Sequence, residues 1–278
     1  TEMRHETLHI FPEYPNANLV TYLHCDTPDS KINPRRAIIV CPGGGYAYCC
    51  GREDEPIALP WMAEGFQAFV LHYGVEEHAA NYEPLIEACL AVRYVREHAE
   101  EWNIDPAHIF ITGFSAGGHC AASAGTLWNL PCVADTFERQ YGDRDTRRGR
   151  PDATILCYPV ITSGIWAHRP SFLKLCGKKD ATEEEQARFS LEDFVDHDTA
   201  PAFLWHTADD GAVPVQNSLL YAMALAANHV PYELHIFPHG PHGLSLCDER
   251  TWAQIPQQIA PSVAVWLPLA IRFAKELA

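Results

Sequence analysis

Ile109-Phe-Ile-Thr-Gly-Phe-Ser-Ala-Gly-Gly-His119 is the stretch that decides the fold of this 278-residue chain. Ile109 to Thr112 is β-branched and aromatic, the composition of a buried strand. It runs into Gly113-Phe-Ser-Ala-Gly117 and then into small residues of helical character, Ala121, Ala122 and Ala124. The pattern is a strand, a sharp turn and a helix, with Ser115 at the apex. Glycines on either side let strand and helix approach closely, and the apex residue takes a backbone conformation few side chains tolerate. The helix N-terminus behind the serine favours developing negative charge. G-x-S-x-G arises by chance in many glycine-rich loops; the strand before it and the helix after it give it weight.

Working outward, strands and helices alternate. Leu8–Phe11 and Leu19–Leu23 read as an antiparallel start, separated by Pro12, Pro15 and Asn16. Ala37-Ile-Ile-Val-Cys41 is a continuous apolar run, as expected of a strand buried on both faces, and it ends at Pro42-Gly-Gly-Gly45-Tyr46. Ile57–Ala63 reads as a short helix, Phe66–Leu71 as the next strand, and Pro84 opens a helix with Leu85, Ala88, Cys89 and Val92 at helical spacing. Beyond the Ser115 helix, Trp128–Pro151 shows no periodicity and reads as irregular. Ala153–Tyr158, Ala202–Thr207 and Glu233–Phe237 read as strands, Val215–Ala227 as an amphipathic helix, and Pro261–Leu277 as a C-terminal helix. This alternation predicts an α/β fold, a mostly parallel central sheet with helices on both faces. Residues 1–278 are read as one domain. The excursions at about 128–151 and 159–200 are then insertions beyond the carboxyl ends of the strands, placed to cap a site there.

Composition narrows the function. Hydrophobic residues make up 47% and charged residues 20%, enough for a large core, and the net charge is −16. Such an acidic surface argues against nucleic-acid partners and against anionic membranes. No run approaches the roughly 18 apolar residues of a membrane span. No apolar core follows the polar start Thr1–Glu6, so no signal peptide is expected. The ten cysteines lack a C-x-x-C, and Cys41, Cys120 and Cys157 lie in apolar stretches, which predicts free thiols and a cytoplasmic, reducing location. Scattered His and Cys make no zinc spacing, so no metal is expected.

A serine nucleophile needs a base, and the base needs an orienting carboxyl group. After the Ala202–Thr207 strand comes Ala208-Asp-Asp-Gly-Ala-Val-Pro214, where Asp210 and Asp209 compete for the acid. After the last strand comes Pro238-His-Gly-Pro-His-Gly-Leu244, where His242 competes with His239 for the base. With fifteen histidines in the chain, one near a strand end is unremarkable alone. Serine, acid and base in that order, each at a strand end, are the stronger signal. Asp210 is preferred for its position before Gly211-Ala-Val213, and His242 because Gly243 leaves room beside its ring. The oxyanion donors are expected from the backbone N–H groups of Ala116, Gly44 and Gly45. No Gly-Lys-Ser/Thr follows the glycine run, which disfavours a phosphate loop.

Cys41-Pro-Gly-Gly-Gly-Tyr46, Arg52-Glu-Asp-Glu-Pro56, Gly113–His119, Asp210-Gly-Ala-Val-Pro-Val215 and His235–Ser245 together resemble the esterase/lipase branch of the α/β hydrolases, most of all bacterial acetyl xylan esterase-like carbohydrate esterases. The likeness runs from about Asn33 to the C-terminus. Pro42 stands where many hormone-sensitive-lipase relatives carry His before the glycines, which sets that lipase group apart. The resemblance implies the α/β-hydrolase fold, a three-layer αβα sandwich with antiparallel N-terminal strands. It places Ser115, Asp210 and His242 in the triad and Gly44, Gly45 and Ala116 in the oxyanion hole. It implies a serine esterase removing acetyl groups from xylo-oligosaccharides or other acylated sugars, with no cofactor. A homo-oligomer is compatible with it.

Tyr46, Arg52 and Glu53, beside the glycine run, are candidates for substrate contact; for Arg52 and Glu53 an ion pair steadying the loop is the competing reading. Trp128, Trp166 and Trp205 are candidates for stacking on sugar rings, with Trp205 better suited to the core. Cys50 and His119 are read as structural. An amide hydrolase of the same fold (an arylformamidase or small peptidase) and a catalytically silent ligand-binding homologue remain the alternatives.

Overall fold

The computed structural model describes residues 3–25, 29 and 32–277. Among them, eight strands form one sheet: β1 (Thr7–Leu8), β2 (Asn18–Tyr22), β3 (Arg35–Cys41), β4 (Gln67–His72), β5 (Ile104–Phe114), β6 (Ala153–Cys157), β7 (Ala202–Thr207) and β8 (Tyr232–Phe237), in the order β1-β2-β4-β3-β5-β6-β7-β8. β2 pairs antiparallel with β1 and β4, and all later pairings are parallel. The helices are α1 (Glu55–Ala63), α2 (Glu83–Glu97), α3 (Ala116–Thr126), α4 (Pro131–Tyr141), α5 (Arg169–Cys176), α6 (Glu183–Ala187), α7 (Gln216–Ala227), α8 (Pro261–Ala264) and α9 (Trp266–Glu276).

The inner strands are buried on both faces, so runs such as Ala37–Cys41 of β3 and Ala68–Leu71 of β4 carry apolar side chains at every position rather than at every second one. In β3, Ala37, Ile39 and Cys41 enter one core, with Leu90 and Val92 of α2, Ala121 of α3 and Leu225 of α7. Ile38 and Val40 enter the other, with Ile57 and Trp61 of α1 and Trp266 and Ala270 of α9. The result is the expected three layers. From β3 the chain goes to β4 on one side, then returns to β5 on the other. That reversal opens a crevice at the carboxyl ends of β3 and β5, where ligands bind in such sheets.

Three readings need correction. The first strand covers only Thr7–Leu8; Ile10 and Phe11 are core residues entering the turn closed by Tyr14 N–H to Phe11 O at 2.9 Å. Trp128–Pro151 is not irregular throughout, since α4 lies in it. Pro131 pre-sets its first turn, Val133 and Phe137 form its buried face, and Gly142 in left-handed conformation ends it. The polar neighbours hid an apolar face only one turn wide. The C-terminal helix breaks at Val265, because Pro268 lacks the N–H that would bond Ala264 O.

A buried carboxyl supplies a stability prediction. Glu87 of α2 is 1% exposed, and its Oε2 accepts the Gly74 N–H at 2.6 Å. Burial pushes its pKa up to about 8, against the Gly74 hydrogen bond. An acid whose folded pKa is raised contributes fully below the ordinary carboxylate range, and the contribution fades as pH rises through about 8. Glu87→Gln keeps an acceptor and loses the titration. The difference in Tm between this variant and the parent should therefore shift in the variant's favour from pH 5 to pH 9. A difference that stays constant over that range would disprove the assignment.

Candidate active site

Ser115 sits between β5 and α3 with φ 54° and ψ −117°, a conformation that serine adopts only when its surroundings impose it. Its N–H donates to Cys157 O at 3.0 Å and its carbonyl accepts from Val160 N–H at 3.0 Å, so β6 and the loop after it hold the turn. The flanking glycines are required by space. A Cβ on Gly113 would stand 2.0 Å from Gly117 O, and one on Gly117 would stand 2.1 Å from Cys41 O. The residue is 8% exposed.

Two other strand ends bring polar groups to it. His242, on the loop after β8, places Nε2 2.8 Å from Ser115 Oγ and Nδ1 2.7 Å from Asp210 Oδ2. Asp210, on the turn after β7, also accepts the N–H groups of Ala212 and Val213 through Oδ1, each at 2.9 Å. His206, fully buried in β7, lies 3.4 Å from Asp210 Oδ2. Burial raises the Asp210 pKa, but the nearby His206, whose Nε2–H donates to Val213 O at 2.9 Å, and the hydrogen bonds from His242 and Val213 N–H outweigh it and hold the carboxyl well below the usual range. The competitors pair with each other instead: His239 Nδ1 contacts Asp209 Oδ2 at 3.0 Å, with both side chains exposed. A cavity of about 570 Å³ lies beside that pair, lined also by Pro241 and Ile259.

Glu53 organises the glycine loop. It is 3% exposed, and its carboxyl oxygens accept from Gly43 N–H at 2.9 Å, Tyr158 OH at 2.6 Å and Ser245 Oγ at 3.2 Å. Gly43 is thereby occupied, whereas the N–H groups of Gly44, Gly45 and Ala116 make no hydrogen bond to another described residue. Gly44 has φ 131°, and a Cβ there would meet Tyr48 O at 2.0 Å. Arg52 Nη1 donates to Gly243 O at 3.1 Å and Thr251 O at 3.0 Å, which pins the loop bearing His242.

These contacts correct the expected substrate set. Tyr46 is 1% exposed, and its OH donates to His119 Nδ1 at 2.8 Å, so it faces the core. His119 Nε2–H donates to Phe189 O at 2.8 Å, and burial lowers its pKa to about 4. Glu53 is buried and accepts three internal donors. Arg52 and Glu53 both brace the site, yet by separate hydrogen bonds and not as an ion pair. Trp128 and Trp205 are buried; Trp166 is 40% exposed. Cys50 is half-buried, and burial raises its thiol pKa. Among the described residues no group of three His, Cys, Asp or Glu is placed to hold a metal ion.

Tyr158, His206 and Ser245 escaped the sequence reading. Tyr158 and His206 sit at or just past the carboxyl ends of β6 and β7, a position that is itself a signal. Nothing local marks Ser245, whose N–H reaches Tyr158 OH at 2.9 Å.

The mostly parallel sheet with a strained serine between its fifth strand and the following helix defines an α/β hydrolase. The chain belongs to the BD-FAE family, whose sequence model matches residues 23–225. It is 40% identical over 236 residues to endo-1,4-beta-xylanase B of Butyrivibrio fibrisolvens, covering 84% of this chain and 35% of that protein. It is 30% identical over 248 residues to an acetylxylan esterase of Xylanibacter ruminicola, covering 87% of this chain and 47% of that one. It thus spans less than half the length of these two relatives. The structure of an acetyl ester-xyloside bifunctional hydrolase from Caldicellulosiruptor lactoaceticus superposes with a TM-score of 0.77 at 38% identity, over 93% of this chain and 87% of that one. A carboxylesterase of Lactobacillus plantarum reaches a TM-score of 0.82 at 29% identity, over 100% and 99%. No helix among the described residues is long and apolar enough to cross a membrane.

Proposed function

We propose that this chain is a serine esterase that removes short acyl groups, acetyl foremost, from xylo-oligosaccharides or other acetylated sugars. The observation that carries the reading is the hydrogen-bonded line from Ser115 Oγ through His242 to Asp210. The unoccupied N–H groups of Gly44, Gly45 and Ala116 beside it support the reading. The acetylxylan esterase and acetyl ester-xyloside hydrolase relatives support the choice of substrate.

In this mechanism Ser115 Oγ attacks the acyl carbonyl while His242 Nε2 takes its proton. The carbonyl oxygen gathers negative charge against the N–H groups of Gly44, Gly45 and Ala116. Collapse breaks the bond to the sugar oxygen, and His242 delivers the proton to that oxygen. Water then attacks the acyl-enzyme, with His242 as base, and releases the carboxylic acid and free Ser115. Asp210 keeps the His242 proton on Nδ1 and stabilises the imidazolium. The cycle uses no cofactor. The chain acts as one domain, with residues 159–200 covering part of the site. Ten free cysteines support a reducing, cytoplasmic setting.

A fluorophosphonate probe should label the parent protein at Ser115, and acetylated xylo-oligosaccharides should lose acetyl signals by NMR. A folded protein that neither labels nor deacetylates would be a silent homologue. On nitrophenyl esters, acetate should be cleaved at least about tenfold faster than octanoate, roughly 1.4 kcal/mol of differential transition-state binding. A maximum at octanoate would point to a lipase-like enzyme.

A further inference from the structure

His168 is a second histidine at this site, brought there by the 159–200 excursion. It precedes α5, and its Cε1 lies 3.7 Å from where Gly45 would carry a Cβ, so its ring stands against the oxyanion-side loop. Its Nδ1 lies 2.9 Å from the Oγ of Ser171, a residue fully buried in α5. That hydroxyl has no other hydrogen-bond partner among the described residues. A buried hydroxyl proton needs an acceptor, so Ser171 donates to Nδ1, and the ring proton resides on Nε2. Nε2 makes no hydrogen bond to another described residue, which leaves a fixed N–H donor free beside the reacting centre. Burial, then the proximity of His242, lowers the His168 pKa against the pull of Asp210, so the ring is neutral at neutral pH.

The backbone around His168 is braced. Arg169 Nη1 donates to Ser163 O at 2.7 Å and to Gln186 Oε1 at 2.9 Å. Asn217, fully buried, donates to Trp166 O at 3.0 Å and accepts the Ile161 and Thr162 N–H groups. The turn held this way still presents Ile165 at 87% exposure and Trp166 at 40%. A short acyl methyl would leave the His168 donor unpaired on the substrate's arrival, at a cost. An oxygen on a sugar leaving group would satisfy it.

We propose that His168 is a specificity-determining residue on the leaving-group side, its Nε2–H donating to a hydroxyl or ring oxygen of the sugar that bears the ester. This rests on the esterase reading above. The test compares parent, His168→Ala and His168→Gln on 4-nitrophenyl acetate and on acetylated xylobiose, with melting curves to confirm folding. Both substrates deliver the same acyl group, and only the second offers sugar oxygens. His168→Ala should lower kcat/KM on acetylated xylobiose about tenfold or more, mainly through KM, and change nitrophenyl acetate less than about threefold. His168→Gln, which places an amide N–H near the Nε2 position, should recover part of the loss. Equal losses on both substrates would make His168 a contact to the reacting carbonyl and overturn the proposal; so would no loss on either. A parent that cleaves nitrophenyl acetate but not acetylated xylobiose would instead sink the sugar-ester reading, and this proposal with it.

Discussion

Ser115→Ala should lower kcat by about 10³-fold or more on any ester the parent cleaves, because in the proposed mechanism Oγ is the attacking atom. The fold should survive. The serine side chain contacts His242 Nε2, while the turn is held by main-chain bonds to Cys157 and Val160 and by the space around Gly113 and Gly117. An alanine at φ 54° bears no more strain than the serine it replaces. The measurement is burst and steady-state hydrolysis of 4-nitrophenyl acetate, with circular dichroism for the fold. A folded variant keeping a tenth of parental kcat would remove Ser115 from the mechanism.

The second large effect is expected at Asp210. Asp210→Asn should cost about 10³- to 10⁴-fold in kcat. The asparagine amide can donate to His242 Nδ1, which moves the ring proton to Nε2 and leaves no base facing Ser115 Oγ. Asp209→Asn, which changes an exposed pair with His239, should stay within about threefold. The parent's pH profile should carry the same mark. The Asp210 carboxyl is held well below the usual range by His206, His242 and Val213 against burial, so it stays ionised through mildly acidic solution. His242→Ala should be inactive throughout, and His239→Ala should keep the parental profile. If Asp209→Asn or His239→Ala proves the dead variant, acid and base are misassigned. Asp210 also bears on stability. With its folded pKa lowered, its contribution is present above the ordinary carboxylate range and is lost as pH falls through the folded value.

The sequence by itself determined the layers and the chain order of the proposed reacting groups. Runs such as Ala37–Cys41, short, β-branched and apolar at every position, suit strands covered on both faces, and helical periods between them favour a parallel sheet. Ser115, Asp210 and His242 stand out as candidates because each lies in the turn or loop that leaves a strand, in the company of glycine or proline, and these are local facts. Short-range signals failed where a face was narrow or broken, at α4 and at Pro268.

Only the tertiary structure decided which neighbour of each pair faces inward. Asp209 and Asp210 differ by one residue, and their separation into a surface pair and a buried partner of His242 follows from where β7 and β8 end relative to β5. The same holds for Glu53, Tyr158 and Ser245. They lie 105 and 87 residues apart along the chain, yet one carboxyl group joins them and fixes Gly43. Tyr46, adjacent to the glycine run and so a natural candidate for substrate contact, points into the core toward His119. Side-chain direction in a loop is set by packing against distant elements, and no period in the sequence encodes it.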